Sequence, residues 1–228
     1  MLILSNNVAT TTFDEMYDKS KWNINLLREL NVYEPSEDTF LLLDALESDL
    51  ENIIASKPRM VLEIGCGSGV VITAIASVVK DCHYIAVDIN PNACNVMKNT
   101  AEMNKTHVDI VNADLLKSFR LNSAIDMIIF NPPYVETEDE ETLVAGISQS
   151  WAGGAKGRKI LDELLPVLNS ALSLTGTFYL VAISYNDIED LEKCMHDYGF
   201  NCSVLKIRQI LGELLFVLKF SKERVIGR

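Results

Sequence analysis

The sequence predicts an α/β fold built on a seven-stranded, mostly parallel, doubly wound sheet with one antiparallel strand. Three observations carry this reading. From residue 59 onward, short apolar runs alternate with segments of helical length and period. The runs are apolar throughout, as strands covered on both faces are. The last two runs have no helix between them, which implies a hairpin and therefore one reversed strand.

Taken in order, residues 1–31 form an N-terminal extension whose order the pattern leaves open. A helix fits Trp22 to Leu30 only with irregular apolar spacing. Residues 32–228 read as a single domain. Pro35-Ser36-Glu37-Asp38 opens a helix, with Ser36 as cap and two acids facing the helix dipole. Its apolar face is Leu42, Leu43, Leu46, Leu50, Ile53 and Ile54. RMVLEI is the first strand, GCGSG a tight loop and VVITAIASVV a helix. HYIAVD is the second strand, and Pro91 opens the next helix at its first turn. HVDIV and IDMIIF are the third and fourth strands. KILDELLPVLNSAL is a helix with Pro166 as a kink or break, TGTFYLVAI the fifth strand, and NDIEDLEKCMHDYGF a helix closed by Gly199. NCSVLKI and ELLFVLKF complete the sheet through a turn at Gly212.

Composition narrows the function. The 228 residues are 48% hydrophobic and 23% charged, enough for a sizeable core and unlike a disordered chain. No apolar run approaches the roughly 18–20 residues needed to span a bilayer, so no membrane association is expected. MLILSNN lacks the basic region and length of a signal peptide. The expected compartment is the cytoplasm, with the nucleus as a second. The net charge of −12 argues against stable binding of free nucleic acid, which needs a basic face. The five cysteines form no C-x-x-C pair and the three histidines no H-x-x-x-H, so no metal is expected in this chain.

The chemistry is concentrated at strand ends. Glu63-Ile64-Gly65-Cys66-Gly67-Ser68-Gly69 follows the first strand, and Asp88 ends the second, 19 residues after Gly69. An acid at that place accepts hydrogen bonds from ribose hydroxyls. The dinucleotide fingerprint fails at Val70, and no Gly-Lys-Ser/Thr follows the loop. Glu63 would also repel a pyrophosphate. A nucleoside with a cationic end and no phosphate suits the loop better, and S-adenosylmethionine has that shape. Glu63 then serves indirectly, by fixing the loop's amides.

Asn131-Pro132-Pro133-Tyr134 follows the fourth strand. Methyl transfer from a sulfonium is an in-line displacement, in which the enzyme chiefly positions the attacking atom. The Asn131 oxygen and the Pro132 carbonyl can accept the two N–H bonds of a planar –NH2 group and steer its lone pair. The Tyr134 ring can lie on a planar substrate. No Pro-Cys nucleophile and no complete G-x-S-x-G elbow is present. Lys156, Arg158 and Lys159 form the one compact basic cluster, either a solvated helix start or a contact for an anionic or backbone-rich substrate. Trp151 is a packing residue or a contact in the same glycine-rich loop.

On these motifs the chain resembles the class I S-adenosylmethionine-dependent methyltransferases of the HemK-like group. Val32-Tyr33-Glu34-Pro35-Ser36-Glu37-Asp38-Thr39-Phe40, Asp88-Ile89-Asn90-Pro91 and Trp151-Ala152-Gly153-Gly154 followed by Gly157-Arg158 are similar to the eukaryotic and archaeal release-factor glutamine methyltransferase branch. The resemblance implies cofactor contacts at Thr39, Glu63, Gly65, Gly67, Gly69, Asp88, Asp114, Leu115 and Asn131, with S-adenosylhomocysteine as product. Asp114 would accept from the adenine amino group and Leu115 pack on the ring. Substrate contacts fall on Asn131, Pro132, Pro133 and Tyr134. The implied substrate is the glutamine amide in the Gly-Gly-Gln motif of a class I translation termination factor. The implied partner is a small zinc-binding activator subunit of the Trm112 type, expected along the sheet-edge strand His107 to Val111. Competing readings are an adenine or guanine N-methyltransferase, a protein-lysine methyltransferase and a non-catalytic cofactor-binding scaffold.

Overall fold

The computed structural model describes residues 24–120, 122–138 and 150–222. Its seven strands are β1 (Met60–Ile64), β2 (His83–Asp88), β3 (Asp109–Asn112), β4 (Ile125–Phe130), β5 (Leu172–Ile183), β6 (Phe200–Ile210) and β7 (Glu213–Lys222). They form one sheet in the order β3-β2-β1-β4-β5-β7-β6. β7 runs antiparallel to both neighbours, and the other pairings are parallel. The predicted single reversed strand is therefore β7.

The helices are α1 (Ile24–Glu29), α2 (Glu37–Ser48), α3 (Leu50–Ser56), α4 (Val70–Val78), α5 (Pro91–Met103), α6 (Lys159–Ala171) and α7 (Ile188–Asp197). The strands' period of two sorts their side chains into two cores. Val61, Met127, Ile129, Tyr179 and Val217 face α2 to α5 on one side. Leu62, Ile64, Ile128, Phe130, Phe178 and Leu218 face α6 and α7 on the other. Both faces of the central strands are thus dry, which explains their unbroken apolar sequence.

Three details differ from the sequence reading. The helix after Ser36 breaks at Asp49 into α2 and α3. Asp49 is buried there and accepts from Tyr179 Oη at 2.6 Å, Lys219 Nζ at 2.5 Å and Asn52 Nδ2 at 2.7 Å. Those partners lie on β5, on β7 and one turn along α3, so the break depends on distant sequence. α6, by contrast, continues through Pro166, so that residue does not break it. Finally, packed structure begins before residue 32. Leu27 and Val32 cluster with Ala93, and the Asn90 and Asn92 side-chain amides donate to the Leu30 and Asn31 carbonyls. A domain start at residue 32 falls inside this packed segment.

Burial alone would raise the Asp49 carboxyl, but hydrogen bonds from Lys219, Tyr179 and Asn52 pull it below its ordinary value. A depressed carboxyl stabilises fully above the unfolded pKa of about 4, and that stability is lost as the pH falls through the folded pKa. Asp49→Ala is therefore expected to lose about 3 kcal/mol at neutral pH, the low end for stranding one partner of a buried pair. Thermal melts from pH 7 to pH 2 should show the variant and the wild type converging in acid. A constant gap at all pH values would show that the carboxylate's charge is not the source.

Candidate functional site

The segments that follow β1, β2, β3 and β4 converge on a cavity of about 510 Å³ at the carboxyl edge of the sheet. This is where open parallel sheets place ligands. Its wall includes Thr39, Glu63, Gly65, Gly67, Asp88, Asp114, Leu115 and all four residues Asn131 to Tyr134. The structure thus brings together every predicted site residue except Gly69. That glycine lies behind the wall as the N-cap of α4, at φ 78°. A Cβ there would sit 1.9 Å from Met97 Sδ, so its lack of a side chain lets α4 and α5 close together.

The two acids of the loop have distinct roles. Asp88 Oδ2 accepts from the Gly67 amide at 2.9 Å and Oδ1 from the Asn90 amide at 2.8 Å. Asp88, not Glu63, is thus the residue that fixes the loop's amide. Glu63 Oε2 instead accepts from the Ile72 amide at 3.1 Å, one of the orphan donors in the first turn of α4. It supplies from the strand the cap that Gly69 cannot. Both acids are buried, and burial pushes both carboxyls up from their ordinary values.

On the opposite wall, Asp38 organises the Asn-Pro-Pro-Tyr segment, a role its sequence position does not reveal. It is 3% exposed in the first turn of α2. Its Oδ2 accepts from Asn131 Nδ2 at 3.0 Å, Tyr134 Oη at 3.0 Å and Tyr33 Oη at 3.1 Å. Its Oδ1 accepts from the Thr39 amide at 2.7 Å and Thr39 Oγ1 at 3.3 Å. Burial and the neighbouring Asp38 charge raise the Tyr134 phenol, which keeps it a donor. A carboxylate only accepts, so Asn131 must turn its –NH2 toward Asp38. The Asn131 Oδ1 is left buried without a partner. Thr73 Oγ1 is the other such atom among the described residues, and it lies inside α4, outside the cavity wall. Leaving such an acceptor unmade costs about 1–3 kcal/mol. An N–H donor that reached it would relieve that cost.

The remaining candidates divide. Asp114 pairs with Lys117 Nζ at 2.6 Å, and Leu115 adopts φ 47°, a strained backbone for a residue with a Cβ. Trp151 and Lys159 reach the cavity wall. Lys156 pairs with Asp187 at 3.6 Å. Arg158 is withdrawn from solvent, because its guanidinium is buried between Asp162 and Asp190. Among the described residues, no group of three or more His, Cys, Asp or Glu is placed to hold a metal ion.

With this geometry in hand, comparisons place the chain among known proteins. Residues 36–149 match the methyltransferase small domain family. Human methyltransferase HEMK2 is 43% identical over 84% of this chain and 90% of its own length. The catalytic subunit mtq2 of the eRF1 methyltransferase of Schizosaccharomyces pombe is 37% identical over 83% of this chain and 88% of its own. Among solved structures, the E. cuniculi Mtq2–Trm112 complex, described as methylating the eRF1 termination factor, superposes with a TM-score of 0.66. That match has 28% identity and covers 85% of this chain and 99% of the other.

The buried Glu63 yields a testable consequence. Burial raises its carboxyl well above the usual 4.5, the Ile72 amide pulls the other way, and the Asp88 charge adds to the rise. A raised acid costs stability as the pH climbs from the unfolded value toward the folded one. Glu63→Gln keeps an acceptor for Ile72, so its melting temperature should exceed the wild type's at pH 7 and match it below about pH 4. A lower melting temperature at pH 7 would show that the charged form is what holds α4.

Proposed function

The chain belongs to the HemK-like release-factor glutamine methyltransferases, and from that premise we propose how its residues carry out the reaction. The enzyme methylates N5 of the glutamine side chain in the Gly-Gly-Gln motif of a class I translation termination factor. The buried, unpartnered Asn131 Oδ1 is the observation that carries the residue-level reading.

The acid-rich cavity, with Asp88 at the end of β2, suits a cationic nucleoside without phosphate. S-adenosylmethionine, when bound, supplies an electrophilic methyl carbon on a sulfonium. Thr39, Glu63, Gly65, Gly67, Asp88, Asp114 and Leu115 would hold it. Asp88 has lone pairs left for a ribose, and Leu115 offers an apolar surface to the base.

The acceptor nitrogen is a poor nucleophile because its lone pair is delocalised into the amide carbonyl. Asn131 Oδ1 accepts one N–H, and the Pro132 carbonyl accepts the other. With both N–H bonds fixed, the nitrogen presents its remaining face to the methyl group. Positive charge grows on that nitrogen during transfer, acceptors already in place need no reorganisation, and the surplus N–H proton then leaves to water. The Tyr134 ring, tied to Asp38, supports the planar amide. Asp38 sets the sense of the whole cradle, because it dictates which end of the Asn131 amide faces the substrate. A glutamate side chain offers no N–H and would face Oδ1 with a second acceptor, so the cradle selects the amide.

The activator subunit is proposed along β3, which among the described residues pairs only with β2 and ends the sheet. Ile89, 55% exposed after β2, and Met103, 66% exposed at the end of α5, add apolar surface near that edge. A strand donated there would satisfy the open ladder and cover them.

The test is co-expression with the activator, followed by labelling of the termination factor with its Gly-Gly-Gln motif intact or with that glutamine changed to alanine. Label should appear on the intact factor alone, and label on both would sink the assignment. Asn131→Ala should lower kcat about 10²–10³-fold, the usual loss for one preorganised group at a developing charge. Asp38→Asn should be comparably harmful. The Thr39 amide demands an oxygen at one end of the new side chain, which places –NH2 toward Asn131 and turns the Asn131 oxygen away from the substrate. Asp38→Asn with wild-type kcat would contradict the orienting role.

A further inference from the structure

The Trp151-to-Arg158 segment is conspicuous in the sequence, yet most of it makes no cavity wall. Its contacts run to the back of the acceptor cradle instead. From them we infer that Asn186, working through this segment, is a positioning residue for the methyl acceptor. The inference rests on the methyl-transfer reading of Asn131 to Tyr134.

Asn186 ends the 3-10 turn Ser184–Asn186 that follows β5 and is 2% exposed. Its Oδ1 accepts from the Ile183 amide at 2.8 Å, which anchors it to the sheet. Its Nδ2 donates to the Tyr134 carbonyl at 3.1 Å and the Lys156 carbonyl at 3.0 Å. Both ends of the amide are therefore used, and they join β5, the acceptor cradle and the Trp151-to-Arg158 segment. Gly157 makes the close approach possible. At φ 63°, a Cβ on Gly157 would lie 1.9 Å from the Tyr134 carbonyl oxygen and 2.7 Å from Asn186 Nδ2.

The neighbouring backbone continues the clamp. The Val135 amide donates to the Trp151 carbonyl at 3.0 Å, and the Gly153 amide to the Val135 carbonyl at 2.7 Å. Arg158 fastens the far side. Its Nη1 donates to Asp190 Oδ2 at 2.7 Å and to the Asn186 carbonyl at 3.4 Å, and its Nη2 to Asp162 Oδ1 at 3.0 Å. This is why its charge is spent inside the fold and not on a substrate.

The cradle is thus held at two levels. Asp38 fixes the side-chain ends of Asn131 and Tyr134, and Asn186 fixes the backbone at Tyr134. With only the first, the phenol stays tethered while the backbone carrying it can drift. The acceptor nitrogen would then miss its in-line path without losing its binding contacts.

The test uses the enzyme with its activator, comparing wild type, Asn186→Asp, Asn186→Ser and Gly157→Ala. Asn186→Asp turns a donor into an acceptor facing two carbonyls, and Asn186→Ser is the milder variant should the first fail to fold. For the folded variants, kcat should fall about 10–100-fold, the penalty for sub-ångström to ångström misplacement. The KM for the termination factor and the affinity for S-adenosylhomocysteine should hold. Amide hydrogen exchange should quicken at Val135 and at Thr137, whose amide donates to the Gly154 carbonyl at 3.2 Å. Faster exchange or lower melting temperature with unchanged kcat would overturn the positioning role and leave only a structural tie. Unchanged exchange would overturn the clamp itself. A wild type that leaves the factor's glutamine unlabelled would instead refute the proposed substrate, a separate result, since exchange at Val135 and Thr137 reads the clamp without any acceptor.

Discussion

The site depends on one buried carboxylate. Asp38 is almost fully removed from water, and the five groups that donate to it are neutral. A carboxylate in that position is tolerable only when its lone pairs are filled, and its place in the first turn of α2 adds the favourable end of a helix dipole. Filling those lone pairs draws in Tyr33 from before the helix and Asn131 and Tyr134 from the end of β4. The carboxylate thus ties an N-terminal segment to the centre of the sheet. It also decides which atom of Asn131 is left without a partner.

Much of the scaffold was legible because it is written locally. Short, continuously apolar runs located the strands, and the missing helix between the last two located the reversed pair. The Gly65-to-Gly69 loop, Asp88 and Asn131 to Tyr134 stood out because strand ends carry ligand chemistry in such sheets. What stayed hidden were residues whose partners are far away in sequence. Asp38 read as a helix-dipole acid, and its partner Asn131 lies 93 residues on. Asp49 read as part of a continuous helix, since Tyr179 and Lys219 are 130 and 170 residues distant. Arg158 read as one of three residues in a basic cluster, either solvated or meeting a substrate, although two acids on α6 and α7 enclose it. Asn186 read as the opening residue of a helix, with nothing in the sequence to tie it to Tyr134, 52 residues away.

These hidden residues share a physical character. Each is a polar group buried to hold another polar group in a fixed sense, whereas several residues of the site itself cost stability where they sit. Glu63 and Asp88 are pushed toward their neutral forms, Leu115 takes a left-handed backbone, and Asn131 Oδ1 waits without a donor. Strain and unmet polar groups of this kind gather where structure is given over to function. The two dry layers that flank the sheet absorb the cost. A rigid sheet therefore carries a site whose groups would not hold their orientation alone.

The most direct test of the orienting role of Asp38 is a crystal structure of the enzyme with its activator, S-adenosylhomocysteine and a glutamine-containing Gly-Gly-Gln peptide. Asn131 Nδ2 should remain on Asp38, with Asn131 Oδ1 within about 3.2 Å of the substrate amide nitrogen, a normal hydrogen-bond length. That nitrogen should line up with the cofactor sulfur. An Asn131 turned to offer its –NH2 to the substrate, or a glutamine amide bound with its nitrogen away from Oδ1, would contradict that role.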